Sequence, residues 1–599
     1  MFLMEDYIPQ ITPSTRDDKE FVNPNADLLE KLRVNKHGAF LFRRRRQPDW
    51  TDNYTLYRDK VQLNRLTQRQ SVNIPLIKSS IKTLLKDIDD PPILYFVNLD
   101  NNDQAEVYYN EHWHQSSIEN ETILKDIVDK RQVMLFGRSF KFLNIENGRF
   151  VYEIVAPDDV LIDRYVDPTD IDSARFLIRE HIYKPLSSLK LEKRYDQKAV
   201  ARLETFLGTK AGLIRATENQ LDWVEKNRKM ASMGVIDVWA PTLGETYVEL
   251  NDWYIFEPNE KTGRDEITYL TTAEDMEVLC SAPLESYIGE TKDHYWTNHF
   301  PATTWGDESE RTDFWSDGVA DSLRTLNKVM NSWFSQMVEN RTLRNYGMNF
   351  YNSSLGPEGF TPQTFEPVPW GWYPIPVAAN GKLGDAIMNV PVPDLEDTLK
   401  EMEFIQTIAQ QTSAATTFQQ GVEEKQQVTL GEVQLLLSNA KERVKSMAVY
   451  YTASWEDFGE KFVKMLEAAP DLIDPMTISK KGRLSNKQYS KTISSEDWKS
   501  NNGWKCEVKM KQDQLAQDAD SLQKLNYTKS LMPANSTLDT IIKKKSLEFA
   551  DLSASEISEV MKEDEMAMKN MAMMGGQPQN GQMMLPAQTA QPAQVPMPA

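Results

Sequence analysis

Two groups of residues have the side-chain types and spacing that chemistry requires. Glu111-His112-Trp113-His114 sets two imidazoles two positions apart, and on a strand they would share one face, as two ligands of a metal would. No third histidine lies nearby in the sequence, so a surface strand is the better reading. The acids Asp158, Asp159, Asp163, Asp167, Asp170 and Asp172 could hold the divalent metal of a nuclease, yet they lack the alternating spacing and closing Glu of a calcium loop. Interleaved with Pro157 and Pro168, they read better as turn residues that hydrogen-bond their own backbone. A metal-dependent nuclease stays as the alternative function; turnover of DNA lost in Asp163→Ala or His112→Ala would favour it.

Other catalytic patterns are missing. Gly381-Lys382 has neither the earlier glycine nor the following hydroxyl of a phosphate-cradling loop, so no ATP motor is expected. Gly137-Arg-Ser139-Phe-Lys lacks the second glycine of a nucleophile elbow, and neither G-x-G-x-x-G nor H-E-x-x-H occurs. The expectation is a non-enzyme without a cofactor.

Charge and composition narrow the class. The chain has 599 residues, with 68 Lys and Arg against 89 Asp and Glu, a net charge of −21, so affinity for phosphate backbones is not a global property of its surface. The aromatic fraction of 10% and the 14 tryptophans belong to a protein with several cores. Cys280 and Cys506 are too few for a disulfide framework, which suits a reducing compartment. Acids follow directly on Met1-Phe-Leu-Met, which excludes a signal peptide, and Ile93 to Val97 is far too short to cross a bilayer, so a cytosolic protein without a membrane is expected. Arg43 to Arg46, a block of four like charges, reads first as a solvated turn and second as a basic arm for nucleic acid or an acidic partner.

The elements that must position these residues form an α+β, mainly helical chain. After a polar segment 1–45, helical spacing runs from Trp50 to Leu85 with a break at Pro75. A helix is expected over Ile118 to Gln132, then strands at Val133–Phe136, Phe140–Ile145 and Phe150–Val155, the last two joined at Asn147-Gly148. Residues 186–230 read as a helical insertion between this β-rich stretch and a second one. The second has strands at Val235–Trp239, Tyr247–Leu250, Trp253–Phe256, Ile267–Thr271 and Met276–Leu279, and the two stretches could form one discontinuous domain.

From Ser316 onward the pattern changes. Val319, Leu323, Leu326, Met330, Trp333 and Met337 step by threes and fours along a helix of about 28 residues, roughly 42 Å. Residues 345–393 hold eight of the 30 prolines with Trp370, Trp372 and Tyr373, a turn-and-strand excursion. A second helix starts at Asp394 with Leu395, Leu399, Met402, Ile405 and Ile408 on one side and dissolves near Thr412. The polar stretch 412–429 reads as a loop, and a third helix carries Val433, Leu437, Val444, Met447, Tyr451, Trp455, Phe458 and Phe462 on one face for about 36 residues. A β-like stretch follows at Trp504 to Met510, then helices to Met574 and an uncharged, disordered tail.

This order of elements resembles the portal protein of tailed double-stranded DNA bacteriophages. The similarity lies in Tyr57-Arg58 with Ser71-Val72-Asn73-Ile74-Pro75-Leu76, in Phe136-Gly137-Arg138 through Val155-Ala-Pro157 to Asp167-Pro168, and in the succession of helices from 316 to 466. The resemblance implies a ring-forming subunit with wing, stem, clip and crown, in a dodecamer around a DNA channel. It assigns residues 1–45 to an N-terminal arm, 46–316 to the wing, 317–344 and 394–411 to stem helices, and 345–393 to the clip. It further assigns 412–429 to a tunnel loop, 430–515 to the long helix and rest of the wing, 516–574 to crown-like helices and 575–599 to the tail.

In that frame Thr412, Ser413, Thr416, Thr417, Gln419 and Gln420 would face DNA, touching its backbone without gripping it. Trp370, Trp372 and Tyr373 would dock the motor or an adaptor, although tryptophans of a proline-rich module read first as its own core. Leu323, Leu326, Met330, Trp333, Leu399, Met402, Leu437 and Val444 would pack subunit on subunit. Implied partners are further copies of the chain, double-stranded DNA, the large terminase, the major capsid protein, a scaffolding protein and head completion or tail adaptor proteins. The implied place is a capsid vertex of the virion, with assembly in the host cytoplasm. A structural adaptor without a channel is the remaining alternative.

Overall fold

The computed structural model describes residues 25–59, 73–87, 93–207, 246–284, 299–306, 313–345, 349–351, 387–389, 397–413, 430–481, 488–509 and 524, apart from 101, 147, 260–262, 274, 469 and 501. Two compact units divide the chain: residues 1–476 with 493–512, and residues 477–492 with 513–599. In the second unit the described strands are those of one two-stranded sheet, β12 (Met476–Lys481) with β13 (Gln488–Ile493).

The first unit opens with helices. α1 (Ala26–Arg44) includes much of the segment expected as a polar arm, but its Leu29, Leu32 and Ala39 pack on Leu161, Ile178, Trp253 and Leu270 of a sheet. α2 (Gln47–Tyr57) and α3 (Leu76–Asp87) follow, the latter starting directly after Pro75, whose fixed φ suits a helix start. After β1 (Ile93–Asn98) comes α4 (Asp103–Glu119), capped by the Asn102 side chain, which accepts from the Gln104 and Ala105 amides.

The single helix expected over 118–132 is divided, because Glu121 adopts a left-handed conformation (φ 51°) before α5 (Thr122–Phe136) begins. Val133–Phe136, expected as a strand, is the last turn of α5. All four side chains are buried, so the run is apolar on every side and has no period to tell helix from strand. Gly137, at φ 84°, ends the helix with its amide on the Val133 carbonyl.

β2 (Arg138–Glu146) and β3 (Arg149–Val155) form a hairpin whose turn uses Gly148 at φ 73°, and β9 (Ala302–Gly306) pairs on the other edge of β2. The second sheet has the order β4 (Val160–Ile162), β5 (Phe176–Pro185), β6 (Tyr247–Asn259), β7 (Arg264–Ala273), β8 (Glu277–Pro283), every pair antiparallel. β5 pairs with β6 across the insertion, which begins with α6 (Leu186–Leu191) and α7 (Gln197–Leu207), so the two β-rich stretches share one sheet. Ala199, Val200, Leu203 and Leu207 of α7 close against Val248, Leu250 and Leu279. The strands expected at 247–250 and 253–256 are one strand, whereas 235–239 lies outside the described residues. β1 pairs with β14 (Trp504–Lys509), Phe96 opposite Cys506, bringing together segments some four hundred positions apart.

Three long helices complete the unit: α8 (Val319–Asn345), α9 (Asp397–Ser413) and α10 (Leu430–Ala468), the last of 39 residues and roughly 58 Å long. α9 packs along α8. The excursion between them leaves through β10 (Asn349–Tyr351) and returns through β11 (Ile387–Asn389), which pair antiparallel.

Candidate functional site

The functional geometry of the described residues lies where α8 and α10 are rooted in the α/β body. At the root of α8 the backbones approach so closely that only glycine fits. A Cβ on Gly137 would stand 1.8 Å from the Ser316 carbonyl oxygen, and one on Gly318 2.7 Å from the Val133 carbonyl oxygen. Ser316 Oγ donates to the Gly137 carbonyl at 2.7 Å. Arg46 clamps the first turn of α8 through Asp317 at 2.7 Å and Asp321 at 2.8 Å, while Asp321 Oδ2 also accepts from the Gly318 amide. One turn further on, Asn327 and Asn331 cap α3: their Oδ1 atoms accept from the Ile77 and Ile74 amides at 3.2 and 2.8 Å. The Trp315 ring meets Trp50 edge-on at 5.4 Å, sealing the root against water.

α10 is rooted by buried charge instead. Lys141 Nζ lies 2.9 Å from Asp129 Oδ2 with both side chains fully buried, and donates to Ser454 Oγ of α10 at 2.8 Å. Trp305 Nε1 donates to Asp129 as well. Tyr451 donates to Asp126, which is paired with Lys130 at 2.6 Å. Burial pushes the Asp126 carboxyl up, against the pull of Lys130. Lys461 bridges Asp172 at 3.0 Å, Asp457 at 3.3 Å and the Ala302 carbonyl at 2.8 Å. Burial would lower its ammonium, but the two carboxylates outweigh that and raise it. Beyond these pairs a Cβ on Gly459 would stand 2.1 Å from Cys506 Sγ, so α10 lies directly on β14, and burial pushes the Cys506 thiol up to about 12.

α4 protects the free edges of both sheets beside α10. The Asn110 carboxamide bonds both the amide and the carbonyl of Phe96 at 2.9 Å, and Asn120 does the same for β3, accepting from Tyr152 N and donating to the Phe150 carbonyl. Each side chain stands where a further strand would bond, which blocks edge-to-edge pairing.

The surface strand expected at the two histidines is corrected, while the turn reading of the aspartates holds for three of them. His112 and His114 lie on a helix, where residues two apart point in different directions. His112 is buried against Trp498 and Phe462, and burial lowers its imidazole to about 4. His114 is exposed. Asp163, Asp167 and Asp170 accept from backbone amides two residues on, as turn residues do. Asp159 instead binds His181, and Asp172 binds His299, Lys461 and the Phe300 amide, so those two tie segments together. Among the described residues no group of three or more His, Cys, Asp or Glu could hold a metal ion.

The solvated turn expected at Arg43 to Arg46 holds for Arg44 and Arg45, which are exposed, but not for its two ends. Arg43 is buried on Glu180 at 2.9 Å and donates to the Asp158 carbonyl, and Arg46 holds α8. An arginine run looks solvated in sequence because its acidic partners are remote.

Of the residues expected to pack between subunits, Leu323, Met330 and Met402 are already buried within one chain, while Leu326 and Trp333 are half-buried. Leu399 lies on α9, and Leu437 and Val444 on α10. Thr412 and Ser413, expected in the loop, sit on the last turn of α9. Thr416, Thr417, Gln419, Gln420, Trp370, Trp372 and Tyr373 lie outside the described residues, as do 208–230 of the insertion, the tail and, apart from Lys524, the expected crown. Asn110, Asn120, Asn327 and Asn331 belong to no sequence motif; an asparagine on the apolar stripe of a helix, as Asn327 is, is the available signal.

No described helix is long and apolar enough to cross a membrane. No curated protein matches the chain. The model of one family, described as phage SU10 portal protein, matches residues 94–597, which takes in α8, α10 and the α10 root but not Arg46, Trp50 and α3. The chain therefore belongs to the phage SU10 portal protein family, structural and non-enzymatic head-to-tail connector proteins of tailed phages.

Proposed function

We propose that this chain is one subunit of a twelve-membered ring at a capsid vertex, through whose channel the genome is packaged and later ejected. The observation that carries this reading is the pairing of α9 with α8, itself rooted in the α/β body, around an excursion necked by β10 and β11. In it α8 and α9 are the stem, residues 345–393 the clip that docks the large terminase and later the head completion or tail adaptor proteins, and 412–429 the loop at the channel. The wing meets the major capsid and scaffolding proteins. An acidic chain suits a conduit, since every Lys or Arg contact to phosphate would add salt-dependent affinity and slow a sliding polyanion. Energy for packaging comes from the terminase.

Mass photometry with negative-stain class averages tests the reading. A closed ring of about a dozen copies with a central hole is expected; a chain that remains monomeric at micromolar concentration overturns it. No observation favours the nuclease, given the buried His112 and the turn bonds of the aspartates.

A further inference from the structure

Ile118, Ile123, Leu124 and Ile127 cluster at the α4–α5 corner and are 59%, 61%, 58% and 38% exposed. Each is a large aliphatic side chain on well-formed helix, and together they make an apolar strip of the kind that marks an interface. On α10, Val449 and Tyr450 are 64% and 36% exposed, and the same outer face continues through Ala453 to the exposed Glu456 and Glu460.

The α5 strip runs from the flank to the far side of the α5–α10 contact, and the α10 patch lies away from that contact. α5 meets α10 through Asp126 and Lys130, which contact Tyr451. At 3.6 residues per turn, Ile123, Ile127, Arg131 and Leu124 stand about 60°, 100°, 140° and 160° round α5 from Asp126. Val449, Ala453, Glu456 and Glu460 stand about 140–200° round α10 from Tyr451. One copy thus presents an aliphatic strip followed by the half-buried Arg131 on α5, and an apolar patch followed by two exposed glutamates on α10. Two unlike, complementary faces on one copy are what a head-to-tail ring contact needs.

Electrostatics selects the same pairing. Copies that each carry −21 repel one another, so their contact must lie where charge is sparse or opposed. Permanent homomeric contacts are also more apolar than transient ones. We propose that the α5 face bearing Ile123, Leu124 and Ile127 of one copy packs on the α10 face bearing Val449 and Tyr450 of the next. The proposal rests on the ring reading above and names the surfaces that close the ring.

The test uses the full chain, with ring fraction read by mass photometry and folding by circular dichroism. Leu124→Glu alone and Val449→Lys alone are each expected to cut the ring fraction about ten-fold while keeping the wild-type melting temperature, because both sites are exposed within one copy. Mixed one to one, the two variants are expected to reassemble, since the carboxylate introduced in one copy then meets the ammonium introduced in the next. Leu191→Glu, at a position 83% exposed on α6, serves as the control and keeps its rings. Rings that survive both single substitutions overturn the contact alone. Single variants that break the ring but do not reassemble when mixed overturn the pairing of these two faces. A wild-type chain that stays monomeric overturns the ring reading and this contact with it.

Discussion

α8 and α10 leave the same body, yet they are held to it by different forces. The root of α8 is first a steric fit, with glycine backbones against Ser316 and neutral amides capping α3, to which the part-buried Arg46 adds its clamp on Asp317 and Asp321. The root of α10 is first electrostatic, with Lys141, Lys130 and Lys461 paired below the surface and covered by aromatic rings, and its one close glycine approach, Gly459 on Cys506, lies beyond these pairs. A steric fit tolerates no added atom, whereas a buried ion pair tolerates added volume poorly and the loss of one partner worst of all. The glycine-rooted helix should therefore fail on small-to-large changes, and the lysine-rooted helix on loss of a charge.

The largest effect expected to break this comparison is at Gly137. Gly137→Val places a Cβ on the Ser316 carbonyl at a positive φ, and should cost about 4 kcal/mol or prevent soluble expression, read by urea unfolding. On the α10 side, Lys141→Met strands Asp129 and should cost about 3–5 kcal/mol; changing Asp129→Asn as well should recover part of the loss.

Acid should act through His112, which packs on Phe462 of α10. Its folded value of about 4 lies below the unfolded 6.5, so the unfolded chain binds the extra proton first. Its contribution is complete above pH 6.5 and shrinks by roughly 3 kcal/mol as pH falls to about 4. His112→Phe should flatten that part of the melting-temperature profile. A smaller change comes from Asn331→Ala, which uncaps the Ile74 amide at a cost of about 1–2 kcal/mol in chemical unfolding. The smallest has the opposite sign. Gly38, inside α1, has nothing within 4 Å of an added Cβ, so Gly38→Ala should stabilise by about 0.5–1 kcal/mol. That result would show that crowding at Gly137, not glycine itself, matters.

Much of the fold was legible because local pattern encodes it. The hairpin turn at Gly148 and the stripe from Val319 to Met330 are signals within a few residues of one another. The candidate site was legible only in outline. Val133–Phe136 is apolar all round and so carries no period, and the His112–His114 spacing misleads once the backbone turns every 3.6 residues. Thr412 and Ser413 are poor helix residues, yet they sit on the end of α9, where propensity is a weak prior.

By itself the sequence determined an acidic α+β chain with amphipathic long helices, a proline-rich excursion and no nucleotide-binding loop, since each of these is a property of composition or short-range spacing. Only the tertiary structure decided which charges are interior. Lys141 finds Ser454 across 313 positions and Tyr451 finds Asp126 across 325, and no local pattern records partners so remote. Burial is set by the docking of whole elements, so a lysine or an arginine reads as surface in sequence until the fold brings its carboxylate to it.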